Sequence, residues 1–449
     1  MATVTVPGVA GSVITYNFSD PANTTLAQAI QFALQTALSA GALNVVADNG
    51  GAPPSPTGTV NELAVATSGG TVANNGYQFV ADSTGGGSFT VTGAQNFIGG
   101  DGGLAVYNIA GTALPETITA GNGNDLFALV PGSTYNVAAG SGSDTYFANG
   151  SGNVSSGPGQ NLIFVGGDNT SNTVVTSGTD TVVAGAGNQA AVLVGSNELV
   201  FGGPGNIDVF GNGAASETIV GGAGSTTIWG GSSALDFFGS GSALLVNGPN
   251  ANTTMVGSTG AETAFGGASA HEVAFVGSSS LLFAAGSNDS TTIVGGTNPA
   301  TLFGSAGSSI TYFSTAGGAL YSAGSGSETL NAAGSTSANT IFGGSGNDSL
   351  AGGAGNDLLV AGTGNSTLSG GGGNNTFLFV SGHAGGVDIV TDFNANDLLL
   401  LSGYGPNAGG NALANATVSG GSTTIGLADN TKITFDNITT PGSIKTFSV

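Results

Sequence analysis

The chain has 449 residues, of which 84 are Gly and none is Cys, and only 6% are charged, against roughly 25% in ordinary soluble domains. Two Lys and no Arg stand against 25 acidic residues, a net charge of -23, which excludes the phosphate neutralisation of nucleic-acid binding and attraction to anionic lipid. Without Cys there are no disulfides, thiolate nucleophiles or zinc ribbons, and a hydrophobic content of 39% is not that of a disordered chain.

At the N-terminus, Val4 and Val6, then Ile14, Tyr16 and Phe18, alternate strictly and predict two short strands. No basic segment precedes an apolar run here, so a cleaved signal peptide is not expected. No charge occurs from Pro21 to Ala47, yet Gln28, Gln31, Gln35 and Ser39 recur at helical spacing. Leu26, Ile30, Ala33, Leu34, Ala37 and Leu38 fill the opposite face, which predicts an amphipathic helix over 25–40 rather than a membrane span. Thr24 or Thr25 suits its N-cap and Gly41 its C-terminal stop. A Pro-rich turn follows at Pro53, Pro54 and Pro56, with strands expected at Glu62–Ala66, Tyr77–Val80 and Ser88–Thr92. Residues 1–98 thus form a small α+β segment, serving either as a solenoid cap or as a joint to a second molecule.

From Gly99 onward the sequence repeats. Gly-led turns begin at Gly202, Gly211, Gly221, Gly230, Gly239, Gly248, Gly257 and Gly266, a step of nine residues, and the beat continues to Gly370. Between them lie β-type runs such as Thr218-Ile219-Val220, Thr254-Met255-Val256 and Thr340-Ile341-Phe342. A strand of about three residues cannot bury itself and must stack on neighbours. Glycine suits the turns by adopting φ > 0. Two units per coil give an all-β parallel β-roll, or β-solenoid, over 99–375, with roughly 15 coils at about 4.8 Å spacing.

Two units are complete: Gly343-Gly344-Ser345-Gly346-Asn347-Asp348-Ser349-Leu350-Ala351 and Gly352-Gly353-Ala354-Gly355-Asn356-Asp357-Leu358-Leu359-Val360. They match G-G-x-G-x-D-x-U-x, and the chain here resembles the RTX (repeats-in-toxin) family, whose haemolysin-type repeats bind calcium. The resemblance extends to 376–449, where Val387 to Phe393, Asp397 to Leu400 and a hairpin around Ile425 to Phe435 are similar to the module closing many RTX proteins. It implies calcium-dependent folding and export by type I secretion machinery through an uncleaved C-terminal signal.

Calcium, a hard cation, takes six to eight oxygen ligands, and Gly-rich turns leave carbonyls free to join carboxylates. The metal candidates are Asp125, Asp144, Gly343, Gly346, Asp348, Gly352, Gly355 and Asp357. Asp125 and Asp144 are 19 residues apart, one coil, and are candidate stacked partners; Asp348 falls opposite Ser366 and Asp357 opposite Asn375. Most other turns carry Ser, Thr, Ala or Asn where the family has Asp. Sites are therefore expected near 120–145 and 343–375, with a calcium-free solenoid over 200–335. Glu217, Asp236, Glu262 and Glu328 are expected to be solvated edge residues. Asp388, Asp392 and Asp397 fit a capping role as well as a metal.

Catalytic equipment is missing from the sequence. His271 and His383 belong to no metal signature, and His271-Glu272 lacks the second His of H-E-x-x-H. No G-x-S-x-G elbow occurs. Singly scattered acids and one Trp, Trp229, argue against a glycan-active enzyme. The expectation is a non-enzymatic, extracellular structural protein of a bacterial surface layer or biofilm matrix. It would form homo-oligomers or filaments through its solenoid ends. The alternative is an adhesin, binding a surface glycan or ice through outward Thr and Asn ladders.

Overall fold

A computed structural model describes residues 2–18, 20–49, 61–67, 70–73, 77–92, 96–108, 116–211, 216–232, 234–257, 259–277 and 279–449. The Pro-rich turn at Pro53 to Pro56 lies outside them. The chain divides into two compact units, Met1–Thr227 and Ile228–Val449.

Unit 1 opens with the two alternating segments, β1 (Ala2–Pro7) and β2 (Val13–Phe18), paired antiparallel. Helix α1 (Pro21–Ser39) follows and starts earlier than its apolar pattern suggests. Its N-cap is Asp20, not Thr24 or Thr25. The Asp20 carboxylate accepts the N–H groups of Ala22 and Asn23 at 2.9 and 3.0 Å, and Pro21 sits where no N–H is needed. Gly41 follows the helix at φ +69°, the left-handed conformation that ends helices. The buried stripe is narrower than expected, running through Ala27, Ile30, Leu34 and Ala37, while Ala33 and Leu38 face solvent. This stripe joins Val4, Val6, Tyr16, Phe18, Leu63, Val65, Phe79, Ala81 and Ile98 in one core cluster.

That cluster shows where the helix lies. Sheet A of unit 1 begins with Leu43–Asp48, paired in parallel with Asn61–Ala66, and takes every second strand through to Ile207–Gly211. Sheet B runs likewise from Gly70–Ala73 to Glu217–Val220. The helix packs along the outer face of sheet A, against strands from Leu43–Asp48 to Ser151–Gly159. Residues 63–66 and 79–82 are consequently buried on both faces. Parallel pairing starts at residue 43, so strands before Gly99 already form coils.

Successive strands alternate between the two sheets, and alternate residues of each strand fill the space between them. In sheet B the inward column is Phe89, Val106, Phe127, Tyr146, Ile163, Val182, Val200 and Ile219, each directly paired with the next. Phe127 and Tyr146 stack with ring centroids 5.0 Å apart. Neighbours on this column are 17 to 21 residues apart, two nine-residue units with small insertions.

Unit 2 repeats the plan. Sheet C runs from Ala243–Val246 through every second strand to Leu398–Ser402 and then Thr446–Ser448. Sheet D runs from Leu235–Phe238 to Val387–Val390 and then Lys432–Phe435. Ser422–Gly426 folds back antiparallel on Lys432–Phe435, the hairpin expected around Ile425 to Phe435. Two short strands and helix α2 (Ala408–Ala414) complete this end. Among the described residues, no helix is long and apolar enough to cross a membrane.

Glycine has two roles in these turns: Gly353, Gly371 and Gly373 adopt the expected positive φ, at +149°, +81° and +80°, and others do not. The turn residues Gly343, Gly344, Gly346, Gly362 and Gly364 do not have positive φ. They are required because coils stack backbone on backbone. A Cβ on Gly346 would land on the carbonyl oxygen of Gly326 in the preceding coil, and one on Gly364 on that of Gly346. Gly346→Ala should therefore destabilise the calcium-loaded protein by about 1–3 kcal/mol, as overpacking does. Gly442→Ala, where a Cβ meets open space, should be near neutral; chemical denaturation of both variants measures the difference.

Candidate metal centre

The residue two before each inward apolar side chain also points inward, at the junction of turn and strand. In unit 1 these residues form a column: Leu104, Asp125, Asp144, Asn161, Asp180, Glu198. The backbone N–H of each donates to the side-chain oxygen of the next. The distances are 2.8 Å from Leu104 to Asp125, 2.8 Å to Asp144 and 2.9 Å to Asn161, then 2.9 Å to Asp180 and 3.2 Å to Glu198. A side chain thus satisfies each donor that the turn leaves free, as at a helix cap. Asp125 and Asp144 are consecutive members of this column.

Unit 2 has a column at each sheet edge. At sheet C, Ala319, Asn339, Asp357, Asn375 and Asp397 are linked in the same way at 2.7, 2.7, 3.0 and 2.8 Å. At sheet D the N–H of Glu328 donates to Asp348 at 3.1 Å and that of Ser366 to Asp388 at 2.9 Å. Asp348 and Asp357, adjacent in the repeat, therefore belong to opposite edges. Gly343 and Gly346 shape the turn before Asp348, and Gly352 and Gly355 the turn before Asp357.

The carboxylates are buried, and their second oxygens differ. Oδ2 of Asp125, of Asp144 and of Asp357 is enclosed with no hydrogen-bond partner. Oδ2 of Asp348 instead accepts the Gly344 N–H at 3.0 Å. Burial pushes Asp125, Asp144 and Asp388 up to about 7 and Glu198 up to about 8, with nearby carboxylates adding to the shift. An enclosed anionic oxygen without a donor is the position a hard cation or a proton fills. The donor set thus fits calcium at Asp125, Asp144 and Asp357. Among the described residues no three His, Cys, Asp or Glu side chains converge, so backbone carbonyls of the glycine turns must supply most of an ion's oxygens.

Three of the four acids expected at solvated edges are not there. Glu217, Glu262 and Glu328 are 3, 2 and 1% exposed, whereas Asp236 is exposed. Glu217-Thr218-Ile219, Glu262-Thr263-Ala264 and Glu328-Thr329-Leu330 place Glu in the same slot as Asp in Asp348-Ser349-Leu350. That shared offset was the available signal, and it also covers Asp180 and Glu198, which the sequence reading missed. Between them the slot is apolar at Leu235, Ala243, Leu281, Ala300 and Ala319 but polar at Thr226, Thr253, Glu272 and Thr291, all of them buried. Asp392 accepts hydrogen bonds from the Ser369 hydroxyl and the N–H groups of Gly370 and Gly371 at 2.6, 2.8 and 2.7 Å. Asp397 accepts N–H bonds from Asn375 and Asn394.

Parallel sheets joined by glycine turns, with buried carboxylates at the turn–strand junction, define a β-solenoid of the calcium-binding kind. The chain carries four copies of the RTX calcium-binding nonapeptide repeat, matched at residues 212–234, 322–359, 333–368 and 352–383. Calcium is the ion these repeats bind. No curated protein and no solved structure matches the chain.

The raised carboxylates set a pH dependence. In calcium-free protein the fold retains protons that the unfolded chain releases near pH 4, so stability is complete below that pH. It is lost as pH rises through about 7 to 8, where burial places the folded groups. The melting temperature in chelator should therefore fall between about pH 4 and 8, and calcium should restore it at the alkaline end. Calorimetry across that range, with and without chelator, measures both; a flat profile contradicts the assignment.

Proposed function

We propose that this chain is a secreted structural protein of a bacterial surface layer or extracellular matrix, which folds with calcium and assembles with copies of itself. The carrying observation is that both units are given over to solenoid. Parallel pairing begins at Leu43 in unit 1 and extends to Ser448 in unit 2, and among the described residues β1, β2, α1, the strands Thr417–Ser419 and Ser422–Gly426 and helix α2 stand outside it. A solenoid whose coils stack through calcium turns is unfolded where calcium is scarce and ordered where it is abundant. That suits export by type I secretion machinery followed by folding outside the cell.

The ions are held by Asp125 and Asp144 in unit 1. In unit 2 they are held by Asp357, with Gly352 and Gly355, whereas Asp348, after Gly343 and Gly346, has both carboxylate oxygens accepting backbone N–H groups and lacks the donor-free oxygen that carries the assignment. Stretches whose slot is Leu or Ala hold none. Asp357→Asn should remove one binding event or weaken it about tenfold, since ligand charge tunes calcium affinity, while Asp236→Asn should leave titration calorimetry unchanged.

Assembly runs through strand edges at the solenoid ends, where backbone N–H and C=O groups can pair with another copy. The adhesin reading needs an unbroken polar face. It loses support because outward Thr263, Thr301 and Thr340 alternate with Leu282 and Leu320. Negative-stain micrographs of the whole protein should show filaments or sheets in calcium and dispersed particles in chelator. Dispersed monomers under both conditions would sink the proposal.

A further inference from the structure

The outer face of sheet C carries a pattern that neither folding nor calcium binding requires. Coil by coil, its outward pairs are Leu244 and Val246, Thr263 and Phe265, Leu282 and Ala284, Thr301 and Phe303, Leu320 and Ser322, Thr340 and Phe342, Leu358 and Val360. Leu alternates with Thr on one column while Phe alternates with a smaller residue on the other. Phe265, Phe303 and Phe342 are 43, 41 and 39% exposed, and Leu282 and Leu320 38 and 41%. None of these outward residues is charged, in a chain of net charge -23.

We infer that this face pairs with the same face of a second copy, Phe rows of one entering the rows held open by Ala284 and Ser322 in the other. Spacing selects that occupant. Phe recurs every second coil, about 9.6 Å at one coil per 4.8 Å, so interleaved rings from two copies lie about 4.8 Å apart. That falls within the roughly 4.5–7 Å centroid range aromatic pairs favour. A second copy has the matching period by construction, and a self-paired face is the ordinary two-fold interface. The five large residues leave on the order of 80 Å² each. With the half-buried Leu, Val and Thr of the same rows, the face approaches the roughly 800 Å² per partner of a stable interface. Sheet D suits this less well. Its Phe238, Phe275 and Phe313 alternate with Val256 and Val294, which close the gaps, and Asp236 lies exposed among them.

This inference rests on the reading that copies of the chain assemble, and names a lateral surface for it. Sedimentation velocity on the calcium-loaded full chain tests it with two double variants. Phe303→Thr/Phe342→Thr removes ridges, and Ala284→Phe/Ser322→Phe fills gaps while adding apolar surface; circular dichroism checks that each folds. Both should weaken association about tenfold or more. General stickiness would make the second variant associate more strongly, and that result overturns the interleaving. So does association unchanged in both variants, which leaves the assembly reading standing if micrographs still show calcium-dependent filaments. A wild type monomeric at tens of micromolar overturns the pairing, and dispersed particles on micrographs as well defeat the assembly reading. Phe303-dependent retention on cellulose or chitin without self-association would assign the rows to a glycan and overturn the second copy.

Discussion

Stacking of one coil's backbone directly on the next is the constraint from which the other features follow. Strands in a sheet lie about 4.8 Å apart, and in this chain the turns keep that spacing as well as the strands. Gly364 lies over the carbonyl of Gly346, and Gly346 over that of Gly326. A turn so close to its neighbour has no room for Cβ, so its sequence is dictated by the coil below. The same closeness leaves the turn–strand N–H pointing along the stack, where a side-chain oxygen of the next coil accepts it at Asp125, Asp144 and Asp357 and a backbone carbonyl at Ala243, Glu262 and Ala300. Glycine repetition and inward carboxyl or amide groups are two consequences of one geometry.

Those inward groups carry a cost that the chain resolves in three ways. Burying a carboxylate is unfavourable unless a cation, a proton or several donors compensate. Asp397 takes the last route, one oxygen accepting the N–H of Asn375 and the other that of Asn394. Asp125, Asp144 and Asp357 keep an oxygen with no donor, and there calcium or a proton is needed. Where the slot is Leu235, Ala243 or Leu281 the anion is gone and hydrophobic contact replaces it. The chain thus shifts coil by coil between buried carboxylates and apolar slots without altering its fold.

Much of this was legible in the sequence, because a nine-residue period with inward Ile, Leu, Val and Phe admits few architectures. The hairpin, the helix and the paired strands follow from local periodicity. The failures came where local pattern was the wrong guide. Glu217, Glu262 and Glu328 look like surface acids by residue type, but the slot two before the inward residue overrides type. The helix begins at Pro21 because Asp20 can cap it, a hydrogen-bonding fact invisible to hydrophobic spacing. The expected φ > 0 accounts for Gly371 and Gly373, whereas stacking between coils decides Gly346 and Gly364. The coils between residues 43 and 98 escaped because their glycines, such as Gly58, Gly69 and Gly76, keep no even nine-residue step, although their strands pair at the same one-coil separation as the rest.

Inward and outward positions are then free to serve different ends. In unit 1 the outer face of sheet A is covered by α1, and Leu63, Val65, Phe79, Ala81 and Ile98 are apolar because that helix rests on them. In unit 2 the outward rows of sheet C are equally apolar, yet their Phe and Leu side chains remain exposed. A repeat that fixes the inward residue every coil places no such demand outward, and an outward period of two coils cannot come from a one-coil rule. Drift alone would scatter Phe over both columns and both parities of coil. Its confinement to one column, every second coil, with small residues between, is the signature of a constraint acting from outside the fold.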